Sequence, residues 1–214
     1  MPRPPRLLLS QSYYHIITRG NNRHQVFRDQ VDYQKFLEKL AIYKKELPFD
    51  LFHYCLMPNH VHLLVRTKAA ANFSLLMKKL NLSYFHYFRR RYGWVGHFWQ
   101  GRFKSQPVGK DEYFIQCGKY IELNPVRAGM VEKAEDFPYS SYKHYRCDTK
   151  DKLLTDDIFY DELGQSVSER QERYDQLVVS GLVQESYNKS SWGSQPQRYN
   201  ENKKTRNHLK VTNI

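Results

Sequence analysis

The spacing of apolar residues predicts a chain in which strands alternate with helices. Apolar residues recur every three or four positions in residues 29–47 and again in residues 72–92, which predicts two amphipathic helices. Residues 13–18 and 49–56 are rich in aromatic and branched side chains, which favours strands. A Pro-Asn turn follows the second of these segments, so the residues after it are expected to complete a hairpin.

The C-terminal half adds helical patterns and then changes in composition. Residues 111–123 are expected to form a helix capped by Asp111, and Asn124-Pro125 is expected to end it and to begin a short helix as N-cap and first residue. Residues 168–182 predict another helix with a Ser-x-x-Gln capping box. We therefore divide the chain into a main domain, a helical extension and a basic, polar tail expected to be flexible, which are residues 1–147, 148–185 and 186–214.

The segment after the Pro-Asn turn carries two histidines at strand spacing. Successive side chains of a strand point to opposite faces, so His60 and His62 share one face with Leu64, and the apolar residues 61, 63 and 65 form the core face. Two imidazoles on one face can reach a single metal ion or a single phosphate. The pair also fits a half-solvated sheet face or half of a zinc site.

Charge points to nucleic acid as the partner. The chain has 34 Lys and Arg against 22 Asp and Glu, a net charge of +12, and a pI near 9.5, which favours binding of polyanions. Aromatic residues make up 15% of the chain, enough for base stacking as well as a core.

Three segments combine cations with turn or aromatic residues and are candidates for DNA contacts. They are the turn at 19–23, the arginine run at 89–91 and the aromatic stretch at 97–108. Each has a plainer alternative, namely a solvated loop, a solvated helix end, and a β-edge whose aromatic rings lie in the core. The candidate DNA-binding residues are Arg19, Asn21, Asn22, Arg23, Arg89, Arg90, Arg91, Trp99, Arg102 and Lys104.

Several classes of protein are disfavoured. Cys55, Cys117 and Cys147 are far apart and form no Cys-x-x-Cys pair, which indicates neither a disulfide framework nor a cysteine zinc site. The basic N-terminus lacks the long apolar core of a signal peptide, and no long apolar run follows, so we expect a cytoplasmic protein without a membrane partner. No phosphate-binding glycine loop occurs, which disfavours an ATP-driven mechanism.

Four motifs in order resemble one known family. They are Arg-Gly-Asn-Asn-Arg at 19–23, Met-Pro-Asn-His-Val-His-Leu-Leu-Val at 57–65, Phe-Trp-Gln-Gly-Arg-Phe-Lys at 98–104 and Tyr-Ile-Glu-Leu-Asn-Pro-Val-Arg-Ala-Gly at 120–129. Together they resemble the REP-associated tyrosine transposases, which belong with the single-tyrosine HUH transposases. The likeness covers about residues 10–145, and four ordered motifs are more specific than any one of them.

The resemblance implies a fold, an activity and a site. The implied fold is α+β, a ferredoxin-like antiparallel sheet with helices on one face and the histidine pair on a central strand, here followed by the helical extension. The implied activity is metal-dependent cleavage and rejoining of single-stranded DNA, often at the foot of a repetitive palindromic hairpin, with Mg²⁺ or Mn²⁺ as cofactor. By position, His60, His62 and Asn124 are the implied metal ligands and Tyr120 the implied nucleophile. Relatives include monomers and homodimers that exchange the helix at 111–123.

Elementary chemistry agrees with these roles. A tyrosine hydroxyl, with a pKa near 10, needs activation or a more electrophilic target, and a cation held by two imidazoles can polarise a phosphate. Attack would give a 5′-phosphotyrosine and a free 3′-hydroxyl, and a second 3′-hydroxyl could reverse the step without ATP. Imidazole alone suits zinc better than magnesium, but amide, phosphate and water oxygens would favour a hard ion.

Two other functions remain open from the sequence. One is a non-catalytic protein that binds DNA or RNA hairpins through the same basic and aromatic surface. The other is a zinc hydrolase, which would need a further histidine or a carboxylate as third ligand.

Overall fold

A computed structural model of the chain describes residues 8–109, 112–147 and 149–183. The predicted helix cap Asp111 and the predicted flexible tail, residues 186–214, lie outside the described residues. The described residues up to Val183 form one compact unit. None of the helices in these ranges is long and apolar enough to cross a membrane.

Four strands and two helices give the predicted ferredoxin-like order. The chain runs β1 (Tyr13–Arg19), α1 (Gln30–Glu46), β2 (Phe49–Met57), β3 (His60–Thr67), α2 (Ala70–Tyr92) and β4 (Lys104–Val108). The sheet order is β2-β3-β1-β4, and every neighbouring pair is antiparallel. The predicted fold class is therefore confirmed, including the β2–β3 hairpin.

Local signals set the ends of the first two helices. Asp29 is the N-cap of α1, and its side chain accepts a hydrogen bond from the backbone N–H of Asp32, as the sequence predicts. Gly93 ends α2 in the left-handed region, with φ of 64°. This conformation is one that glycine adopts without steric cost.

The two faces of the sheet differ in what covers them. Val61, Leu63 and Val65 pack into the main core together with the apolar stripes of α1 and α2. Helix α3 (Glu112–Glu122) packs against β2 and β3, and Phe114, Cys117 and Ile121 are its buried apolar residues. On the opposite face Leu64 and His62 are only 0% and 3% exposed, so the half-solvated alternative is wrong for these two residues, whereas His60 at the start of the strand is half-buried.

The aromatic stretch after α2 forms an edge of the sheet. Strand β4 pairs only with β1 among the described strands. Phe98 and Phe103 are buried, so the alternative in which aromatic rings of this stretch lie in the core is correct for these two residues. Trp99 is half-buried, and its indole Nε1–H donates to the carbonyl oxygen of Asn81 at 2.9 Å.

The C-terminal part packs as short helices around a second buried cluster. Its helices are α4 (Asn124–Arg127), α5 (Tyr142–Arg146) and α6 (Val167–Val183), with 3-10 turns at Ala134–Asp136 and Asp161–Leu163. Buried members of the cluster include Leu123, Ala134, Tyr142, Tyr145, Tyr174 and Val178.

The cap of α6 differs from the prediction. Ser166 Oγ accepts from the backbone N–H of Glu169, and the Glu169 carboxylate accepts from the N–H of Gln165. The predicted capping box of Ser168 and Gln171 is therefore wrong, because the helix begins two residues earlier with Ser166 and Glu169 in those roles.

Candidate active site

The histidine pair begins β3 immediately after the turn, and its rings are adjacent. The ring centroids of His60 and His62 are 4.7 Å apart with an interplanar angle of 79°. His62 is buried, whereas His60 is only partly covered. Strand alternation therefore places both imidazoles on one face, as predicted, and leaves one of them near solvent.

Helix α3 brings one tyrosine to this pair. The ring of Tyr120 lies 5.8 Å from that of His62, centroid to centroid, in an edge-to-face arrangement. Tyr113, two turns earlier on the helix, is 67% exposed. Of these two tyrosines, Tyr120 is the one that the fold places over the histidines.

A third histidine, which the sequence analysis did not single out, contacts the pair. His15 on β1 lies on the same face, and its Nε2 is 2.8 Å from Nδ1 of His62. The two rings stack with centroids 5.0 Å apart. Alternation along β1 could have placed His15 on one face, but the pairing of β1 with β3 cannot be read from the sequence.

Burial keeps these imidazoles neutral. Burial, with a smaller contribution from neighbouring positive charge, lowers the pKa of His15 to about 3 and of His60 to about 4, and lowers the pKa of His62 well below its usual range. Neutral imidazole is the form that binds metal ions. At neutral pH the imidazoles therefore carry no positive charge that would repel a cation.

Hydrogen bonds determine which ring nitrogens remain available. His60 Nδ1 lies 2.5 Å from Oδ1 of Asn59; since that oxygen only accepts, Nδ1 carries the proton and Nε2 has the free lone pair. Nε2 of His62 is buried and has no hydrogen-bond partner within the described chain. The pair can thus offer two Nε2 atoms to one ion, provided that His62 donates its Nδ1 proton to His15.

The remaining donors suit a hard ion completed by oxygen. Across residues 8–109, 112–147 and 149–183, no three His, Cys, Asp or Glu side chains are grouped to hold a metal. A tetrahedral zinc site of the usual kind needs such a third ligand. Any ion held by the two histidines would need further ligands, such as amide, water or phosphate oxygen.

Asn124 follows Tyr120 by one helical turn, and its side chain folds back toward the backbone of that turn. The Nδ2 group donates to the carbonyl oxygens of Tyr120 at 2.7 Å and of Ile121 at 3.3 Å. Leu123, not Asn124, is the N-cap of α4, and no side chain caps that helix. The predicted N-cap role is therefore wrong, and Oδ1 of Asn124 is the atom available to a metal.

Two guanidinium groups act on Tyr120. Burial raises the pKa of its hydroxyl, while the positive charges of Arg127 and Arg19 oppose that increase. Cζ of Arg127 lies 5.2 Å from the centroid of the Tyr120 ring. Arg19 pairs with His60 across β1 and β3, and its buried Nε has no hydrogen-bond partner in the described residues. Arg127 belongs to the fourth sequence motif, but no role was predicted for it.

The predicted turn at 19–23 presents its side chains to solvent. Asn21, Asn22 and Arg23 are exposed in a 3-10 turn, where Asn22 and Arg23 have φ of 49° and 57°. The turn directly follows Arg19 at the edge of the histidine pair. These side chains therefore lie at the surface next to the end of β1 that carries Arg19.

The other predicted DNA contacts fall into two groups. Arg89, Arg90, Arg102 and Lys104 are exposed. Arg91 instead bonds Asp29 at 2.6 Å and the buried Asp32 at 2.8 Å, which ties α2 to the start of α1. Its charge is thus largely compensated within the protein.

Comparison with known families identifies the family of the chain. The family model described as "Transposase IS200 like" matches residues 8–124, more than half of the chain. The chain belongs to the IS200-like transposase family. The relationship proposed from the four motifs is thereby confirmed.

Two relatives of this IS200-like chain belong to the named tyrosine transposases. A Haemophilus influenzae protein assigned to the REP-associated tyrosine transposases is 29% identical over 121 residues, which cover 51% of this chain and 66% of the relative. The REP-associated tyrosine transposase of Escherichia coli K12 is 22% identical over 132 residues, covering 61% of this chain and 76% of the relative. The chain thus spans just under two thirds of the Haemophilus protein.

A solved structure shares the fold. The structure of a REP-associated tyrosine transposase bound to a REP hairpin superposes with a TM-score of 0.59 at 20% identity, covering 74% of this chain and 93% of the other. At this identity the likeness establishes the fold of the IS200-like chain and leaves its substrate to be argued from the site.

Proposed function

We propose that this chain is a metal-dependent endonuclease and strand transferase that nicks and rejoins single-stranded or hairpin DNA through a 5′-phosphotyrosine. The observation that carries this proposal is the position of Tyr120, whose ring lies 5.8 Å from that of His62. Two relatives of the chain are named tyrosine transposases, and this arrangement would place a tyrosine nucleophile next to two neutral imidazoles.

The covalent step is a transesterification. Oη of Tyr120 attacks the scissile phosphorus, the bond from phosphorus to the 3′ oxygen breaks, and its electron pair leaves with that oxygen, which takes up a proton. The hydroxyl loses its own proton during attack, which Arg127 and Arg19 favour by opposing the effect of burial on its pKa. A 3′-hydroxyl of the same or another strand reverses the step, so no external energy source is needed.

His60, His62 and Asn124 are the residues that would hold Mg²⁺ or Mn²⁺. When bound there, such an ion supplies positive charge to the phosphate oxygens on which charge develops in the transition state. Neutral imidazoles with available Nε2 atoms support this role.

Hairpin DNA is the proposed substrate because the relative with the same fold was solved with a REP hairpin. The net charge of +12 and the exposed residues of the 19–23 turn support the same substrate. We place Arg19, Asn21, Asn22 and Arg23 nearest the scissile phosphate, and Arg89, Arg90, Trp99, Arg102 and Lys104 farther along the strand. We also propose the cytoplasm as the compartment, since the three cysteines are free thiols.

A non-catalytic hairpin-binding protein is the second candidate. A buried nitrogen without a partner costs about 1–3 kcal/mol, and Nε2 of His62 is such an atom. A protein that only binds DNA gains nothing from this cost, whereas a metal site uses that lone pair. A zinc hydrolase is disfavoured, because the described residues contain no group of three His, Cys, Asp or Glu side chains placed to hold one ion, and Nε2 of His15 contacts Nδ1 of His62 instead.

A denaturing gel with end-labelled hairpin DNA and Mn²⁺ tests the proposal. Wild-type protein should form a covalent adduct that is absent in Tyr120→Phe and in His62→Ala. Tyr113→Phe is the matched control, because it alters an exposed tyrosine of the same helix. Tight hairpin binding without any adduct would establish the non-catalytic alternative, and an adduct that survives in Tyr120→Phe would assign the nucleophile elsewhere.

A further inference from the structure

A fourth histidine lies buried beneath the nucleophile helix and takes no part in the proposed chemistry. His53 on β2 is 1% exposed. Its Nδ1 is 3.0 Å from Oε1 of Glu122, and its Nε2 is 2.9 Å from Oδ2 of Asp157. Both carboxylates are also buried. A buried imidazole held at both nitrogens has one orientation.

The ring of His53 contacts α3 on both sides of the nucleophile. His53 pairs with Leu64, and Cys55 pairs with His62, so His53 belongs to the histidine face of the sheet. A Cβ atom at Gly118 would lie 2.9 Å from Nε2 of His53. Gly118 and Glu122 are one turn apart, with Tyr120 between them, so the imidazole supports the segment that carries the nucleophile.

Ser141 and the extension complete this support. Ser141 donates its hydroxyl to Oε1 of Glu122 at 2.5 Å, and Tyr174 on α6 donates to Oε2 at 2.6 Å. Oδ1 of Asp157 accepts from the backbone N–H of Phe159 at 2.8 Å. Every carboxylate oxygen of the network therefore has a donor, the condition under which a buried polar network is rigid.

We propose that His53, fixed by Glu122 and Asp157, is a positioning residue that sets the distance of α3 from the sheet and the rotation of α3 about its axis. Through this network, residues 149–183 take part in placing Tyr120 over the histidine pair. This proposal rests on the proposed function. An error of about 1 Å in the position of a reacting group can cost about 100-fold in rate. The extension lies beyond the family match at 8–124, and its role under this proposal is to help position Tyr120.

Two variants test the positioning role. Asp157→Asn removes the charge that faces His53, and Tyr174→Phe removes one donor to Glu122 while keeping the ring. The measurement is the single-turnover rate of adduct formation as a function of hairpin concentration with Mn²⁺, at a temperature well below the unfolding midpoint of each variant. Asp156→Asn is the matched control, because its side chain is 80% exposed beside Asp157.

The expected result is a split between rate and binding. At saturating hairpin, the rate should fall between about 10-fold and 100-fold in Asp157→Asn and less in Tyr174→Phe. The hairpin concentration for half the maximal rate should stay within about twofold of wild type, as unchanged ground-state binding requires. If Asp157→Asn does not fold, Tyr174→Phe decides the question alone.

Two outcomes would overturn the inference. One is wild-type rates in the folded variants, which would leave the network a purely structural role. The other is weaker hairpin binding at an unchanged maximal rate, which would assign the network to DNA binding. Failure of the proposed function is distinguishable from both, since wild type and Asp156→Asn would then form no adduct.

Discussion

The hydrogen bond between His15 and His62 decides which nitrogen of His62 can meet a metal ion. If His62 donates its Nδ1 proton, Nε2 keeps a lone pair; if His15 donates, Nε2 of His62 carries the proton and cannot bind. The two nitrogens are 2.8 Å apart and buried, so the bond restricts the orientation of both rings. Such partners of ligating histidines typically change metal affinity 10–100-fold.

Replacement of His15 by phenylalanine should therefore weaken metal binding. His15→Phe keeps an aromatic ring on β1 but removes the nitrogen that accepts from His62, so Mn²⁺ affinity should fall about 10-fold to 100-fold. Electron paramagnetic resonance of free Mn²⁺ in a titration measures this directly. His86→Phe, at an exposed position of α2, should bind like wild type. Equal affinities in the two variants would contradict the role given to His15.

Neighbouring arginines at the end of α2 should differ in function. Arg90→Ala should weaken hairpin binding and reduce the slope of log affinity against log salt by about 1, as loss of one phosphate contact does. Arg91→Ala should instead lower the melting temperature, because Asp29 and the buried Asp32 lose their cation. Fluorescence anisotropy at several salt concentrations and thermal unfolding separate the two effects. Equal salt slopes in Arg90→Ala and wild type would remove Arg90 from the interface.

Single residues were predictable where their role is local. Strand spacing alone placed His60 and His62 on one face. The arginines at 89–91 could not be distinguished, because the acidic partners of Arg91 lie about 60 residues earlier in the chain. His15 and Arg127 could be seen but not assigned, since their contacts depend on strand pairing and helix packing.

Helix α3 shows how far an element can be predicted. The 3.6-residue period correctly gave Phe114, Cys117 and Ile121 as its buried stripe. It could not give the partners of Glu122, because His53 and Tyr174 are 69 and 52 positions away. Glu122 is a charged residue on the buried face of this helix, which the amphipathic pattern does not predict. It is buried there because His53 and Tyr174, distant in the chain, form hydrogen bonds with its carboxylate.

A methyl group at Gly118 should displace this helix. In Gly118→Ala the new Cβ meets the His53 ring at 2.9 Å, and the ring cannot yield because both of its nitrogens are bonded. We expect stability to fall by about 1–3 kcal/mol and adduct formation to slow. In His53→Ala the space is empty, so adding Gly118→Ala there should cost much less; urea unfolding of the four proteins tests this. Fully additive losses would exclude the clash.

The junction of β2, α3 and the extension should also make stability depend on pH. Burial by itself lowers the pKa of His53, but hydrogen bonds to Asp157 and Glu122 outweigh it and raise the pKa from 6.5 to about 9. The stabilisation is complete below about pH 6.5 and is lost as the pH rises through about 9, because the folded state then releases a proton that the unfolded state has already lost. Tyr145 and Tyr174 also face this group, and they stay protonated because burial raises the pKa of both hydroxyls.

Urea unfolding at about pH 6 and about pH 9.5 measures this dependence. Wild type should lose stability between the two values, whereas His53→Gln, which cannot bind the proton, should lose much less. The same change in both proteins would mean that His53 is not the titrating group.

At the scale of the whole molecule, the fold of a single chain can place Tyr120, the proposed nucleophile, over its own histidine pair. The family resemblance covers about residues 10–145 and includes the whole sheet, so the fold of that part was predictable and the packing of the extension was not. The extension matters because Tyr174 and Asp157 hold α3 against its own sheet through Glu122 and His53. An exchange of α3 and the extension between two chains would have to break the buried bonds of Glu122 and Asp157 to His53 of the same chain.

The active site should therefore be assembled in cis, and a complementation experiment tests this. In a dimer that exchanges α3, Tyr120→Phe and His62→Ala chains would together form one intact site, with the histidines of one and the tyrosine of the other. In a cis arrangement each chain keeps its own defect. Co-expressed and co-purified Tyr120→Phe and His62→Ala chains should thus yield no adduct with hairpin DNA, whereas wild type mixed with Tyr120→Phe should yield adduct in proportion to the wild-type chain. Recovery of up to half the wild-type adduct in the double-variant mixture would show that the helix is exchanged and that the buried network forms between chains.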